Sequence, residues 1–159
     1  MSGGLFDDLR DLYQEVILDH GRKPRNFRRL DDANRNARGD NPMCGDRMEL
    51  FLQIAPDGAI ADAAFQGRGC AISMASASLM TDTVKGKTQA QARLMSENFR
   101  ALAMTGICPE CSGEIADDME RLAPLSGVHD FPSRVKCATL AWHTLNAALD
   151  GGAKEASSE

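Results

Sequence analysis

The chain has 159 residues, 43% of them apolar and 26% charged, with a net charge of −5. That is the make-up of one soluble globular domain, long enough to bury a real core. The acidic balance argues against a general nucleic-acid or anionic-membrane binder, and no apolar run approaches the roughly 18 residues that span a bilayer.

The start, "MSGGLFDDLRDLYQ", is acidic and has no signal-peptide core. Five cysteines (44, 70, 108, 111, 137) make an odd number in a chain without an export signal. The expectation is reduced thiols in the cytoplasm, available for metal or chemistry, rather than a disulfide framework.

In chain order, Leu5, Leu9, Leu12, Tyr13, Val16 and Ile17 recur at helical spacing and predict a helix over about 5–19. Residues 20–38, "HGRKPRNFRRLDDANRNAR", hold seven Arg or Lys against two Asp. They read as a solvated connector, with a docking patch for an acidic partner as the alternative. Met48, Leu50, Leu52 and Ile54 then alternate with Glu49, Phe51, Gln53 and Ala55, the period of a strand. Asp57-Gly58 supplies a tight two-residue turn with positive φ angles, giving a hairpin of about 47–55 and 59–66.

"CAISMASASLMTDTVKG" predicts a helix with a small-residue face, ended by Gly86. A helix over about 88–104 stops at Gly106, and the mixed segment 112–131 holds a short helix over 114–122. Ser133 stands where it can cap a last helix through "VKCATLAWHTLNAAL", with Gly151-Gly152 just beyond it. The class is α+β, a small antiparallel sheet packed against several helices. A single domain covers 1–150, and 151–159 reads as a flexible tail.

With the turn at 57–58, paired residues have numbers that sum to 115. Asp46 then faces Gly69, and Cys44 falls near Cys70 and Ala71. Cys70 opens a helix after Gly67 and Gly69, where free N–H groups favour a thiolate. Cys137 sits in the first turns of the last helix beside Arg134 and Lys136. Three thiolates and a carboxylate make a tetrahedral set for Zn²⁺, with a residual charge of about −2 for nearby Arg and Lys to offset. Cysteine is also among the most buried residue types, so spacing alone leaves inert core thiols equally open.

Three stretches carry a resemblance. "NPMCGD", "GRGCAISMASASLM" and "VKCATLAW" are similar to the three cysteine motifs of the SufU/IscU (NifU N-terminal-like) family of iron–sulfur assembly proteins. The similarity covers about 9–149, including "LYQEVILDHGRKPRN". It implies a compact α+β fold that agrees with the elements above. Lys136 stands where IscU-type scaffolds have a histidine ligand, and a long insertion separates the second and third motifs. Both features lean to the SufU branch. The resemblance implies a zinc-bound sulfur acceptor that works with a SufS-type cysteine desulfurase and passes sulfur towards downstream iron–sulfur scaffold proteins. Carried over position by position, it implies Cys44, Asp46, Cys70 and Cys137 as metal ligands. Among these, Cys44 is the expected sulfur acceptor, because Cys70 and Cys137 each start a helix and the Cys44 loop is tied down less.

"GICPECSG" adds Cys108 and Cys111 outside that motif set. A single C-x-x-C supplies two of the roughly four ligands zinc needs. A redox pair, a half-site completed by another subunit and two incidental thiols all fit it. His143 lies on another helix face from Cys137, His129 reads as a solvated loop residue, and His20 ends the first helix. Met74, Met80 and Trp142 read as core. Three functions compete: a zinc-dependent sulfurtransferase, a scaffold that assembles and transfers an iron–sulfur cluster, and a non-enzymatic structural zinc module.

Overall fold

The computed structural model describes the backbone over residues 4–151 and 155–157, and side chains over 13–151. Helix α1 (Gly4–Arg22) contains the expected 5–19 stretch and extends into the basic residues His20 and Arg22. Cations are favoured there by the carbonyl end of the helix dipole. Tyr13, Val16 and Ile17 are half-buried, whereas Leu5, Leu9 and Leu12 lie outside the described side chains.

Strands β1 (Arg35–Asn41), β2 (Asp46–Ile54) and β3 (Ile60–Arg68) form an antiparallel meander, in the spatial order β3-β2-β1. A three-residue strand, β4 (Glu155–Ser157), runs parallel to β1 at its outer edge. The β2–β3 register runs from Arg47↔Arg68 to Gln53↔Asp62, as the sequence predicts. The turn itself differs. Among the described residues at this turn only Gly58 has a positive φ, +91°; Asp57 does not. The Gly58 N–H donates to Ala55 O at 2.8 Å and the Ala55 N–H to Ala59 O at 2.9 Å. Pro56 fixes the negative φ of a type I turn, which Gly58 completes in the left-handed region. The loop therefore has three residues, and a one-residue shift between Gln53 and Ile54 absorbs the extra one.

Strand β1 is a correction to the sequence reading, which leaves 35–38 in the connector. Ala37, Gly39 and Asn41 are its buried positions, and none carries a large apolar side chain. Gly39 is required: a Cβ there would collide with Thr144 Oγ1, and Leu140 Cδ1 lies 3.2 Å away. The connector before it is anchored too. Arg25 pairs with Asp19 at 2.6 Å, Arg28 with Asp62 at 2.9 Å, and the Arg29 guanidinium lies 5.4 Å from the Phe51 ring centroid. Arg35 donates to Leu149 O at 2.9 Å, near the end of the last helix. These four of the seven cations in the segment thus make contacts within the fold.

One face of the sheet carries Met48, Leu50, Leu52 and Phe65 into the main core. Two helices cover that face: α2 (Ala71–Val84) and α5 (Pro132–Asp150). The small residues of α2 allow close approach, and Ser76 Oγ donates to Ala138 O at 2.5 Å. Phe51 and Ala64 point the other way and pack with Leu30 of the connector. Helix α3 (Gln89–Thr105) starts at a capping box between Thr88 and Gln91 and stops at left-handed Gly106. Its Phe99 stacks on Trp142 with ring centroids 5.0 Å apart. Between Gly113 and Asp130 the chain makes a 3₁₀ turn (Gly113–Ile115), α4 (Ala116–Leu122) and a 3₁₀ segment (Ala123–Asp130). Ser133 does not cap α5. The helix begins two residues earlier than that cap implies, with Phe131 as N-cap and Pro132 at its first position, where a missing N–H costs nothing.

Candidate metal centre

Four local structures meet at one end of the sheet. Asn41 closes β1 and Asp46 opens β2, paired with each other across the strands. Between them the chain reverses over Pro42–Gly45, with Gly45 at φ +75°. The N–H groups of Cys44 and Gly45 both donate to Asn41 O, at 3.2 and 2.8 Å. Cys70 is the N-cap of α2, its sulfur accepting the Ser73 N–H at 3.5 Å. Cys137 enters from α5 and is 3% exposed.

Cys44, Asp46 and Cys137 form a compact donor set, with one ligand atom from each lying within 4.8 Å of the others. The Cys44 and Cys137 sulfurs are 3.7 Å apart. Cys70 borders the set. Its amide N–H donates to Asp46 Oδ1 at 3.0 Å. The hairpin register thus does what the sequence predicts, bringing Asp46 against Gly69. A Cβ at 69 would sit 2.6 Å from Asp46 Oδ1, so only glycine leaves the carboxylate its place.

Burial pushes the Cys137 thiol far up from its ordinary range. The neighbouring Asp46 carboxylate and the Cys70 and Cys44 sulfurs act in the same direction. Asp46 Oδ2 is buried and has no hydrogen-bond partner among the described residues. The Cys44 and Cys137 thiols and a carboxylate with one orphaned oxygen thus lie together, with Cys70 at their margin. A soft divalent cation resolves this conflict, and zinc fits the donor chemistry. Cations stand around the set: Arg47 and Arg68 are cross-strand partners, and Arg134 and Lys136 ride on the start of α5. Lys136 Nζ donates to Met43 Sδ at 3.6 Å.

Asn41 is a residue that sequence reasoning missed. It is 1% exposed, its Oδ1 accepts the Met43 N–H at 3.3 Å, and its Nδ2 lies 3.9 Å from Cys137 Sγ. The only signal for it was its place at the head of "NPMCGD". The histidines stay apart from the set. His20 Nδ1 meets Ser78 Oγ at 2.7 Å, His129 Nδ1 meets Ser126 O at 2.8 Å, and His143 is half-buried beside Arg100. Cys108 and Cys111 are joined to each other as a disulfide, away from the donor set.

The NifU-like N-terminal domain family model matches residues 12–138. The chain belongs to that family. Within it, the chain is 43% identical over 142 residues to the zinc-dependent sulfurtransferase SufU of Bacillus subtilis (strain 168), covering 89% of this chain and 92% of that protein. It is 36% identical to the iron-sulfur cluster assembly scaffold protein IscU of Streptococcus pyogenes serotype M1, covering 89% and 84%. Among solved structures, a putative iron-sulfur cluster assembly scaffold protein for the SUF system from Fervidobacterium islandicum AW-1 superposes with a TM-score of 0.76 at 31% identity, covering 88% of this chain and 98% of that one. The α+β fold expected of a NifU-like N-terminal domain is the fold observed. No helix among the described residues is long and apolar enough to cross a membrane.

Proposed function

We propose that this protein accepts sulfur for iron–sulfur cluster assembly through a zinc site held by Cys44, Asp46, Cys70 and Cys137. The observation that carries the reading is the Asp46 carboxylate, one oxygen of it buried and without a partner among the described residues, within 4.8 Å of the Cys44 and Cys137 sulfurs. Likeness to a protein named a zinc-dependent sulfurtransferase supports it. Bound there, zinc would keep the thiolates deprotonated near neutral pH and restrain their oxidation.

Cys44 is the sulfur acceptor in this reading. It is exposed, on a turn bounded by Pro42 and Gly45, and a Cβ at Gly45 would meet nothing within 4 Å. Cys137 is buried in a helix, and the Cys70 sulfur caps another. The Cys44 turn can therefore swing outward without moving a packed element. Its thiolate attacks the outer sulfur of a persulfide on a cysteine desulfurase of the SufS type. The new Cys44 S–S bond forms as the donor's S–S bond breaks, and the electron pair leaves on the desulfurase thiolate. Cys44 then holds the persulfide for a downstream iron–sulfur scaffold protein. The setting is the reducing cytoplasm.

The competing reading, a scaffold that builds and transfers a cluster, uses the same soft thiolates and has support in the IscU relative. Lys136, in place of the histidine ligand of IscU-type scaffolds, favours the sulfurtransferase. Metal analysis of the purified protein, followed by cysteine-dependent sulfide release with a desulfurase, separates the two. Zinc and accelerated sulfide release are expected. Iron with acid-labile sulfide and no acceleration would favour the scaffold.

A further inference from the structure

The proposed zinc site uses three of the five cysteines, leaving Cys108 and Cys111 as a matched pair. We propose that this pair is a second thiol centre, a reversible dithiol/disulfide couple that exchanges with a dithiol or disulfide of another molecule. The two sulfurs are brought into bonding contact, with Cα atoms 5.7 Å apart, a separation usual for disulfides. The pairing does not depend on the bond alone. Asn98 of α3 is 3% exposed, and its Oδ1 accepts the Glu110 N–H at 2.8 Å and lies 3.7 Å from the Cys108 sulfur. Its Nδ2 donates back to Leu94 O at 2.9 Å, which fixes the amide. On the other side, left-handed Gly106 packs on the His129 ring, where a Cβ would approach to 2.9 Å. These contacts brace the turn that carries the two cysteines.

Two alternatives are weaker on the same observations. A metal half-site needs further ligands, and among the described residues no third Cys, His, Asp or Glu joins this pair. Incidental thiols need no buried amide aimed at the turn between them. The pair is also reachable. Pro109 and Glu110 between the cysteines are exposed, and Ile107 and Met104 beside them are 69% and 56% exposed. Those apolar side chains suit a protein dithiol as the exchange partner better than a small polar thiol.

The chemistry is a two-electron exchange. One cysteine thiolate attacks the partner's disulfide and displaces one thiol, forming a mixed disulfide. The second cysteine attacks that bond, releases the other thiol and closes the ring. Two protons from the cysteines end on the two released thiols, and reduction is the same steps reversed.

The test uses the full-length zinc-loaded protein, equilibrated across ratios of reduced to oxidised glutathione, acid-quenched, alkylated and mapped by peptide mass. The Cys108–Cys111 peptide should pass in one step from doubly alkylated to an unalkylated disulfide, 2 Da below the mass of the free dithiol peptide by the loss of two hydrogens. Zinc content should stay constant throughout. Double alkylation at every ratio, stable glutathione adducts on both cysteines, or zinc lost on Cys108→Ser plus Cys111→Ser would each overturn the proposal. Reduction by thioredoxin and by dithiothreitol at equal dithiol concentration separates the two sources. A faster thioredoxin reaction, slowed by Ile107→Ser, assigns a protein partner. Equal rates contradict the apolar docking and leave a small dithiol as the reductant.

Discussion

The Cys70 amide donates to Asp46 Oδ1 at 3.0 Å, so one hydrogen bond ties the head of β2 to the N-cap of α2. The other oxygen, Oδ2, is left buried and unpartnered. The Cys70 bond fixes the orientation of the carboxylate and leaves its other oxygen free to take a cation beside the thiols. Asp46→Ala should keep the thiols but weaken zinc binding by about 10–100-fold, the usual effect of losing a support or ligand at such a site. Gly69→Ala should act through the same carboxylate, because its Cβ would displace Oδ1. Competition with a chromophoric chelator measures both. Zinc affinity and sulfur transfer both unchanged in Asp46→Ala would remove Asp46 from the site.

One zinc per chain is the expected stoichiometry. It should be lost on Cys70→Ser or Cys137→Ser and retained on Cys108→Ser plus Cys111→Ser, as elemental analysis of purified variants can report. Cys70 is the informative case, because its sulfur sits at the margin of the donor set and caps α2. Full zinc content in Cys70→Ser would reduce the site to Cys44, Asp46 and Cys137.

Much of this was legible in the sequence because the hairpin carries a strong pattern. Met48, Leu50 and Leu52 alternate cleanly, and Pro56-Asp57-Gly58 fixes the turn to within a residue, so Asp46 and Gly69 could be set opposite each other. Strand β1 was not legible. Its buried positions are Ala37, Gly39 and Asn41, small or polar because α5 presses on them, and the pattern contains no apolar period to read. Asn41 was hidden for the same reason. Its role depends on three contacts that only the folded turn creates.

Acid should destabilise the fold through two histidines. Burial lowers the affinity of His20 and His143 for a proton, assisted by Arg25 and Arg100 respectively. The folded state resists protonation that the unfolded chain accepts, so stability is fully present above the ordinary imidazole value of about 6.5 and falls as pH drops below it. Denaturant midpoints at pH 7.5 and 5.5 should show the loss, and His143→Gln should shrink it. An unchanged pH slope in that variant would assign the effect to other groups.

The stack of Phe99 on Trp142 joins α3 to α5, and both rings are buried. Phe99→Ala should cost about 3–5 kcal/mol, the range for emptying a buried aromatic site. Trp142→Phe should cost much less, since the Trp142 Nε1–H has no partner to lose. Equilibrium unfolding orders the two, and equal costs would contradict the packing described.

The most direct test of the account is to locate the transferred sulfur. The zinc-loaded protein is mixed with a cysteine desulfurase and cysteine for a single turnover, its thiols are trapped by alkylation, and the added sulfur is mapped by peptide mass. The extra sulfur should sit on the Cys44 peptide, and a Cys44→Ala variant should bind the desulfurase yet accept nothing. Sulfur found chiefly on Cys70, Cys108, Cys111 or Cys137 would contradict it.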